Sequence, residues 1–359
     1  MQINYSAPLG TLGYGYTGYY ILKNLIKLGV DVNVSPIGNP QLDMINEFAS
    51  SWYGNKPIFN NAPSIRIWHQ NEVHYRVGNG KHYGFPIFEL DKFKPAELNS
   101  MNACDELIVT SEWGKEILKR NGVKPTAKVV PLGVDTDIFT PSKPSKRENT
   151  IFLNVGKWEI RKGHDILIEC FNKAFNKNDK VELWLLCDNI FLQDGGKSWV
   201  DKCKNSNLAG KIRIIPRQNT HQNIKDIMDQ ADVGVFPARA EGWNLELLEM
   251  MSIGKNVITT NYSAHTEFCN NSNSKLIECD QLETANDNIW FHNFGSWVYL
   301  GDEQQEQLIC HMRNLHIDKQ NNNLNINYSG IDTGQKFSWK NSAKKLIEAI
   351  WTSRTEKAY

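Results

Sequence analysis

The chain has 359 residues, room for two domains of ordinary size, and its 40 basic and 40 acidic residues cancel. That balance leaves no global field for recruiting nucleic acid or an anionic membrane surface. No apolar run approaches the roughly 20 residues needed to span a bilayer, and Met1-Gln-Ile-Asn-Tyr-Ser-Ala-Pro8 lacks the basic and apolar regions of a secretory signal. The seven cysteines are odd in number and scattered, without Cys-x-x-Cys spacing. This pattern predicts reduced thiols in a cytoplasmic protein rather than a disulfide framework or a zinc site, with Cys170 and Cys187 as small core residues.

In chain order, Leu12-Gly-Tyr-Gly-Tyr-Thr-Gly18 precedes a helical pattern through Tyr20, Leu22, Leu25, Ile26 and Leu28, which Gly29 ends before the alternating strand Val30-Asp-Val-Asn-Val34. Gly13, Gly15 and Gly18 fit the Gly-x-Gly-x-x-Gly pattern of dinucleotide-binding folds. The stretch before them, broken by Ser6, Pro8 and Gly10, reads as a poor strand. Ser35-Pro-Ile-Gly38 stands where a ribose-holding acid belongs, and Asp31 comes too early. Nicotinamide binding is therefore not expected, although a glycine loop opening a helix still suits backbone approach to a phosphate.

Strand candidates continue with Ile65-Arg-Ile-Trp68, followed by His69, with Tyr83-Gly-Phe-Pro-Ile-Phe-Glu89, and with Leu107-Ile-Val-Thr-Ser111. A helix is expected from Glu112 to Arg120, then a last strand, Lys128-Val-Val-Pro-Leu-Gly-Val-Asp135. Asp135-Thr-Asp137 satisfies an Asp-x-Asp pattern that holds divalent metals in many sugar-transferring enzymes, and turn and cap roles are the competing reading. The polar, proline-bearing segment 141–149 reads as the domain linker.

Beyond it come the strand Ile151-Phe-Leu-Asn-Val-Gly156, the basic loop Lys157-Trp-Glu-Ile-Arg-Lys-Gly163 and a helix on Ile166, Leu167, Cys170, Phe171, Ala174 and Phe175. Val181-Glu-Leu-Trp-Leu-Leu-Cys187 and Lys211-Ile-Arg-Ile-Ile-Pro216 read as buried strands, and Ile224, Ile227, Met228 and Ala231 as a helix. A strand through Val233, Val235 and Phe236 then leads through a polar loop into a helix from Leu245, with Asn244 at the N-cap and Gly254 past the end. Continuous apolar strands alternating with helices predict parallel sheets covered on both faces. Asn-rich turns at 270–273 and 321–327 are expected on the surface, and a terminal helix carries Ala343, Leu346, Ile347 and Ile350.

Three stretches together resemble a known family. Glu241-Gly-Trp-Asn-Leu-Glu-Leu-Leu-Glu249 is similar to the Glu-(seven residues)-Glu motif of retaining glycosyltransferases of family 4, and the likeness runs on through Glu267. Ala103-Cys-Asp-Glu-Leu-Ile-Val-Thr-Ser111 and the hinge from Val129 to Pro141 resemble further segments of that family, as does a basic loop carrying Lys157 and the Lys162-Gly163 pair. The resemblance implies the GT-B fold, two Rossmann-like parallel-sheet domains facing each other across a cleft. Its boundaries would be 1–141 for the acceptor-side domain, completed by helix 339–359, and 142–338 for the donor domain.

It also implies an enzyme, a hexosyltransferase that moves a sugar from a nucleotide diphosphate to a hydroxyl of a glycan or small molecule with retention. The expected donor is GDP-mannose, by likeness to sequences with the Glu-Gly-Trp-Asn-Leu variant. Neither a metal nor another cofactor is expected, and Asp135 and Asp137 then take the turn and cap roles. Lys157, Lys162, Glu241 and Glu89 would be catalytic, with His69 as an alternative acceptor or sugar contact. Gly15, Arg161, Arg217, Gly242, Trp243, Asn244, Leu245 and Glu249 would bind the donor, Glu249 at the ribose and Arg217 near the base. Asn244, where glycine is more frequent, would either narrow the sugar site or cap the helix. The competing readings are a sugar-nucleotide epimerase, a sucrose- or trehalose-type synthase, and a non-catalytic nucleotide-sugar binder.

Overall fold

The computed structural model describes residues 1–41 and 56–351. The chain divides into two compact units, Met1–Asp135 with Phe337–Tyr359, and Thr136–Lys336. These divisions fall at 135/136 and 336/337, against the expected 141/142 and 338/339. The polar 141–149 segment lies inside the second unit, where Ser142 N–H donates to Ile253 O at 3.0 Å. Of the expected terminal helix, 352–359 fall outside the described residues.

The first unit is built on six parallel strands: β1 (Gln2–Ser6), β2 (Asp31–Val34), β3 (Ser64–Trp68), β4 (His82–Pro86), β5 (Glu106–Val109) and β6 (Ala127–Val129). Their order is β2-β1-β3-β4-β5-β6. The N-terminal stretch is thus a true strand, a correction to the sequence reading. It stops at Ser6, so Pro8 and Gly10 lie past its end and break nothing. Helix α1 (Gly13–Lys27) begins at the first glycine of the motif, and Gly15 and Gly18 are buried within it. A Cβ on Gly15 would lie 2.6 Å from Gly10 N, and one on Gly18 2.2 Å from Pro8 O. Those two glycines let the helix press against the loop after β1.

Helices α2 (Pro95–Asn102) and α3 (Glu112–Arg120) follow in the first unit. Its terminal helix, α10 (Trp339–Trp351), packs on α1, with the Trp339 and Tyr20 rings stacked at 5.5 Å. Tyr83 hydroxyl and Lys128 ammonium donate to the carbonyls of Ile350 and Ala349, at 3.2 and 2.6 Å, and so tie off its end. His82, buried at the start of β4, is a structural histidine: Ser64 Oγ lies 2.6 Å from one ring nitrogen and Val73 O 2.7 Å from the other.

The second unit has six more parallel strands: β7 (Thr150–Lys157), β8 (Val181–Asp188), β9 (Ile212–Ile214), β10 (Val233–Phe236), β11 (Asn256–Thr260) and β12 (Lys275–Ile277), in the order β12-β11-β10-β7-β8-β9. The helices are α4 (His164–Ala174), α5 (Lys197–Lys204), α6 (His221–Gln230), α7 (Leu245–Ser252), α8 (Asp302–Gln320) and α9 (Tyr328–Lys336). Phe152, Leu183, Leu185, Val233 and Val235 of the sheet meet Leu167 and Phe171 of α4 and Met312 and Leu315 of α8 in one apolar core. Not anticipated in this unit were α5, α8, α9, β12 and an antiparallel hairpin of β13 (Leu282–Asn286) and β14 (His292–Val298). Cys170 and Cys187 are buried, as expected, and all seven cysteines are free. Among the described residues no helix is long and apolar enough to cross a membrane.

Candidate active site

In the second sheet the chain steps from β7 through β8 to β9 on one side, then returns to β10 and steps through β11 to β12 on the other. Adjacent parallel strands whose connections leave in opposite directions open a crevice at their carboxyl ends. Loops 157–163, after β7, and 237–244, after β10, both start there. Gly163 brings them together. Its φ of +73° suits a residue without a side chain, and a Cβ would sit 2.0 Å from Pro237 O.

The two loops exchange buried charges. Glu241 Oε1 accepts from Lys162 Nζ at 2.8 Å, and its Oε2 accepts from Arg161 Nη1 at 2.8 Å. Arg161 also donates to Ala240 O at 2.7 Å and, through Nε and Nη2, to Glu159 Oε2 at 3.1 and 2.7 Å. Glu159 Oε1 then lies 2.9 Å from the half-exposed Lys157 ammonium. One continuous network therefore runs Lys157–Glu159–Arg161–Glu241–Lys162. Burial alone would raise the Glu241 pKa, yet the Arg161 and Lys162 charges outweigh it and hold the carboxyl well below the usual carboxylate range. Lys162 is the mirror case: burial opposes its charge, and Glu241 and Glu246 reverse that and raise its pKa.

Behind this network Arg239 clamps the loop from the other side. It grips Asp165 through both oxygens at 2.9 Å, and donates to Ile160 O at 2.5 Å and to Glu283 at 3.2 Å. Glu241 is further held through its backbone, donating to Ser263 Oγ at 2.9 Å.

Asn244 has φ 92° and ψ 82°, a left-handed conformation that asparagine tolerates better than most residues, and its Oδ1 accepts from Leu247 N–H at 3.2 Å. It caps α7, one of the two roles expected for it. Its Nδ2 donates to His265 Nε2 at 3.0 Å, while His265 Nδ1 faces Thr260 O at 3.1 Å. Burial pushes the His265 pKa down to about 4, so the imidazole is neutral. The capped helix then presents its first free N–H groups, with their positive potential, at the crevice.

The expected site residues fall into distinct places. Lys157, Arg161, Lys162 and Glu241 share the network. Gly242, Trp243, Asn244 and Leu245 form the entry of α7, with Trp243 buried against Phe268 at a ring distance of 4.8 Å. Glu249 is buried in the second turn of the same helix. Arg217 stands just past β9, its guanidinium 3.6 Å from Asp188 at the end of β8. Arg161, expected at the donor, is only 4% exposed and bridges Glu159, Ala240 and Glu241.

In the first unit, β4 ends at Pro86, so Glu89 lies in the loop beyond it rather than on the strand as expected. Tyr14 gathers the residues there. Its hydroxyl donates to Ile87 O at 2.6 Å, and its ring lies 4.7 Å from His69 and 5.3 Å from Trp68. Burial, then the Glu89 charge, raises its pKa. Gly15 is the next residue along α1. Asp135 and Asp137 flank and enter a turn at 136–138.

Glu159, His265 and Arg239 were not expected in the site. Glu159 carried a visible signal, an acid set between Lys157 and Arg161 in a seven-residue loop. The others are placed by tertiary contacts alone.

Residues 135–289 match the family described as Glycosyl transferases group 1. The "Putative glycosyltransferase 45" of Sulfolobus islandicus filamentous virus is 19% identical over 277 residues, covering 74% of this chain and 73% of that one. The protein is a glycosyltransferase. Sucrose-phosphate synthase from Thermosynechococcus elongatus superposes on this glycosyltransferase with a TM-score of 0.71 at 14% identity, over 99% of this chain and 100% of that one. Anabaena Alr3699/HepE in complex with UDP-glucose does so with a TM-score of 0.67 at 13% identity, over 98% and 100%. The glycosyltransferase therefore has the GT-B fold, as its two parallel sheets indicate.

Proposed function

We propose that this glycosyltransferase is a retaining hexosyltransferase of family 4 that uses a nucleotide-diphosphate sugar and a hydroxyl acceptor without a metal ion. The observation that carries this reading is the Lys162–Glu241 contact of 2.8 Å beside the capped start of α7 at the β7/β10 crevice. As the glycosidic bond stretches, the electron pair leaves with the diphosphate. Preorganised cations and N–H donors stabilise that developing charge. Lys162, the half-exposed head of Lys157 and the first N–H groups of α7 are the donors for it.

Glu241 acts as an anchor for the sugar hydroxyls and for Lys162, not as a nucleophile, because each of its oxygens already accepts from a cation. Glu159, the other carboxylate of the network, is likewise held at both oxygens by Lys157 and Arg161, so the acceptor oxygen attacks from the side the diphosphate leaves, and its proton passes to a departing phosphate oxygen. Glu249 serves the ribose, and Glu89 and His69, grouped around Tyr14, serve the acceptor.

GDP-mannose is the donor to test first, and UDP-glucose the second, since Alr3699/HepE was crystallised with it. The test is thermal stabilisation against GDP-, UDP- and ADP-sugars, with and without a chelator, followed by the anomeric configuration of the product. A ligand at 100 times its dissociation constant adds about 2.7 kcal/mol to the state that binds it. The shift is expected with chelator present, and Glu249→Ala should abolish it. A chelator-sensitive shift refutes metal independence, and an inverted product refutes retention.

A further inference from the structure

Four large apolar side chains stand uncovered on two neighbouring loop tips of the second unit. Ile190 and Phe191, just after β8, are 62% and 49% exposed, and Ile289 and Trp290, at the tip of the β13–β14 hairpin, are 48% and 47%. The Phe191 and Trp290 rings meet edge to face at 5.8 Å, with an interplanar angle of 87°.

Neither tip is slack. Asn189 Oδ1 accepts from Phe191 N–H at 3.1 Å, while its Nδ2 donates to Trp158 O at 3.0 Å. Asp287 Oδ1 accepts from Ile289, Trp290 and Phe291 N–H at 2.9, 2.8 and 2.9 Å. At the hairpin's root Glu283 accepts from Trp297 Nε1 at 2.9 Å and from Arg239, the residue that clamps the Glu241 loop. The two rings are therefore held outward by structure tied to the active-site loops.

Their surroundings define the ligand. The Lys157 ammonium lies 5.9 Å from the Phe191 ring centroid. The Asp188–Arg217 pair, at the ends of β8 and β9, stands three and more residues away along the same strand ends. A ligand that uses this surface carries an anionic group within one side-chain length of a flat ring, which describes a nucleotide. An anionic bilayer fits poorly, since Asp188, Asp194 and Asp287 sit on the same tips.

We propose that Phe191, buttressed by Trp290, is the surface on which the donor's nucleobase stacks while Lys157 holds the diphosphate. This rests on the donor-site reading above and names the side chains that take the base. Every base has a π face, so stacking contributes to purine and pyrimidine donors alike and selects between them only weakly. Discrimination then falls to the polar edge near Asp188 and Arg217.

The test is calorimetric titration of the full chain and of Phe191→Ala, Phe191→Tyr and Trp290→Ala with GDP, UDP and inorganic pyrophosphate. Phe191→Ala should weaken GDP and UDP by about 5- to 150-fold, the range expected for one stacked base, and leave pyrophosphate unchanged. Phe191→Tyr should keep parental affinity, and Trp290→Ala should weaken both nucleotides by less than Phe191→Ala. The proposal is overturned if Phe191→Ala binds GDP and UDP as the parent does, or loses pyrophosphate to the same degree. If the parent binds both nucleotides and only Lys162→Ala weakens them, the donor site stands and stacking falls. If the parent binds neither, both fall.

Discussion

Glu241→Gln changes one oxygen of a buried carboxylate to an amide, and its consequence can be worked from the contacts. The native carboxylate balances Arg161 and Lys162, each 2.8 Å away, while Glu159 balances Arg161 and Lys157. Glutamine keeps the shape and one acceptor, but turns an N–H₂ toward one of the two buried cations. Removing one partner of a buried ion pair costs about 3–5 kcal/mol, because the charge left behind stays desolvated.

For a unit of this size each kcal/mol moves the melting midpoint by about 2–4 °C, so a drop of roughly 6–20 °C is expected. Scanning calorimetry reads it, and the two units are analysed as separate transitions. The pH dependence checks the cause. Glu241 has a folded pKa depressed below its unfolded value, so its stabilisation is present above the ordinary glutamate range and lost as pH falls toward the folded value. The gap between parent and variant should therefore be constant near neutrality and narrow below about pH 4.5. A midpoint within about 2 °C of the parent, or a gap that does not narrow in acid, would refute the buried-pair argument.

Other outcomes follow from the same geometry. Lys162→Ala and Lys157→Ala should each lower kcat by about one to two decades, since a charge-assisted hydrogen bond contributes roughly 1.5–3 kcal/mol. Steady-state kinetics with the preferred donor decides it, and an unchanged kcat counts against diphosphate stabilisation. Asn244→Gly should cost about 1–3 kcal/mol, because glycine accepts φ 92° and is a fair N-cap but leaves the buried His265 Nε2 without its amide partner. Asn244→Ala adds the lost cap and left-handed strain and should cost about 1–3 kcal/mol more. Equal melts for the two variants would show that the cap and its φ are unimportant. Gly163→Ala should force the 157–163 loop away from Pro237 and weaken donor binding in titration, even where the variant still folds.

Most regular elements of both sheets, though not β1 or β12, were legible because their signals are local. Apolar runs such as Val181–Asp188 and the three- and four-residue spacing of Leu167, Phe171 and Ala174 specify strands and helices whatever lies around them. Helix α8 was overlooked although Leu308, Ile309, Met312 and Leu315 do form a buried stripe, because the polar and Asn-rich residues around it dilute the pattern. Asn244 was legible as a cap but not as the partner of His265, which stands 21 residues along the chain.

From its sequence alone, this chain's two-sheet architecture, the loop that bears the lysines and the spaced pair of acids were determined, since periodicity, capping and motif spacing act over a few residues. Tertiary structure decided which groups meet. It set Arg161 between Glu159 and Glu241, joined Lys157 to that pair through Glu159, and raised the Phe191 and Trp290 rings beside it. Those contacts span up to about a hundred residues, and a buried charge takes its role from the partner that folding brings within 3 Å, which no local pattern encodes.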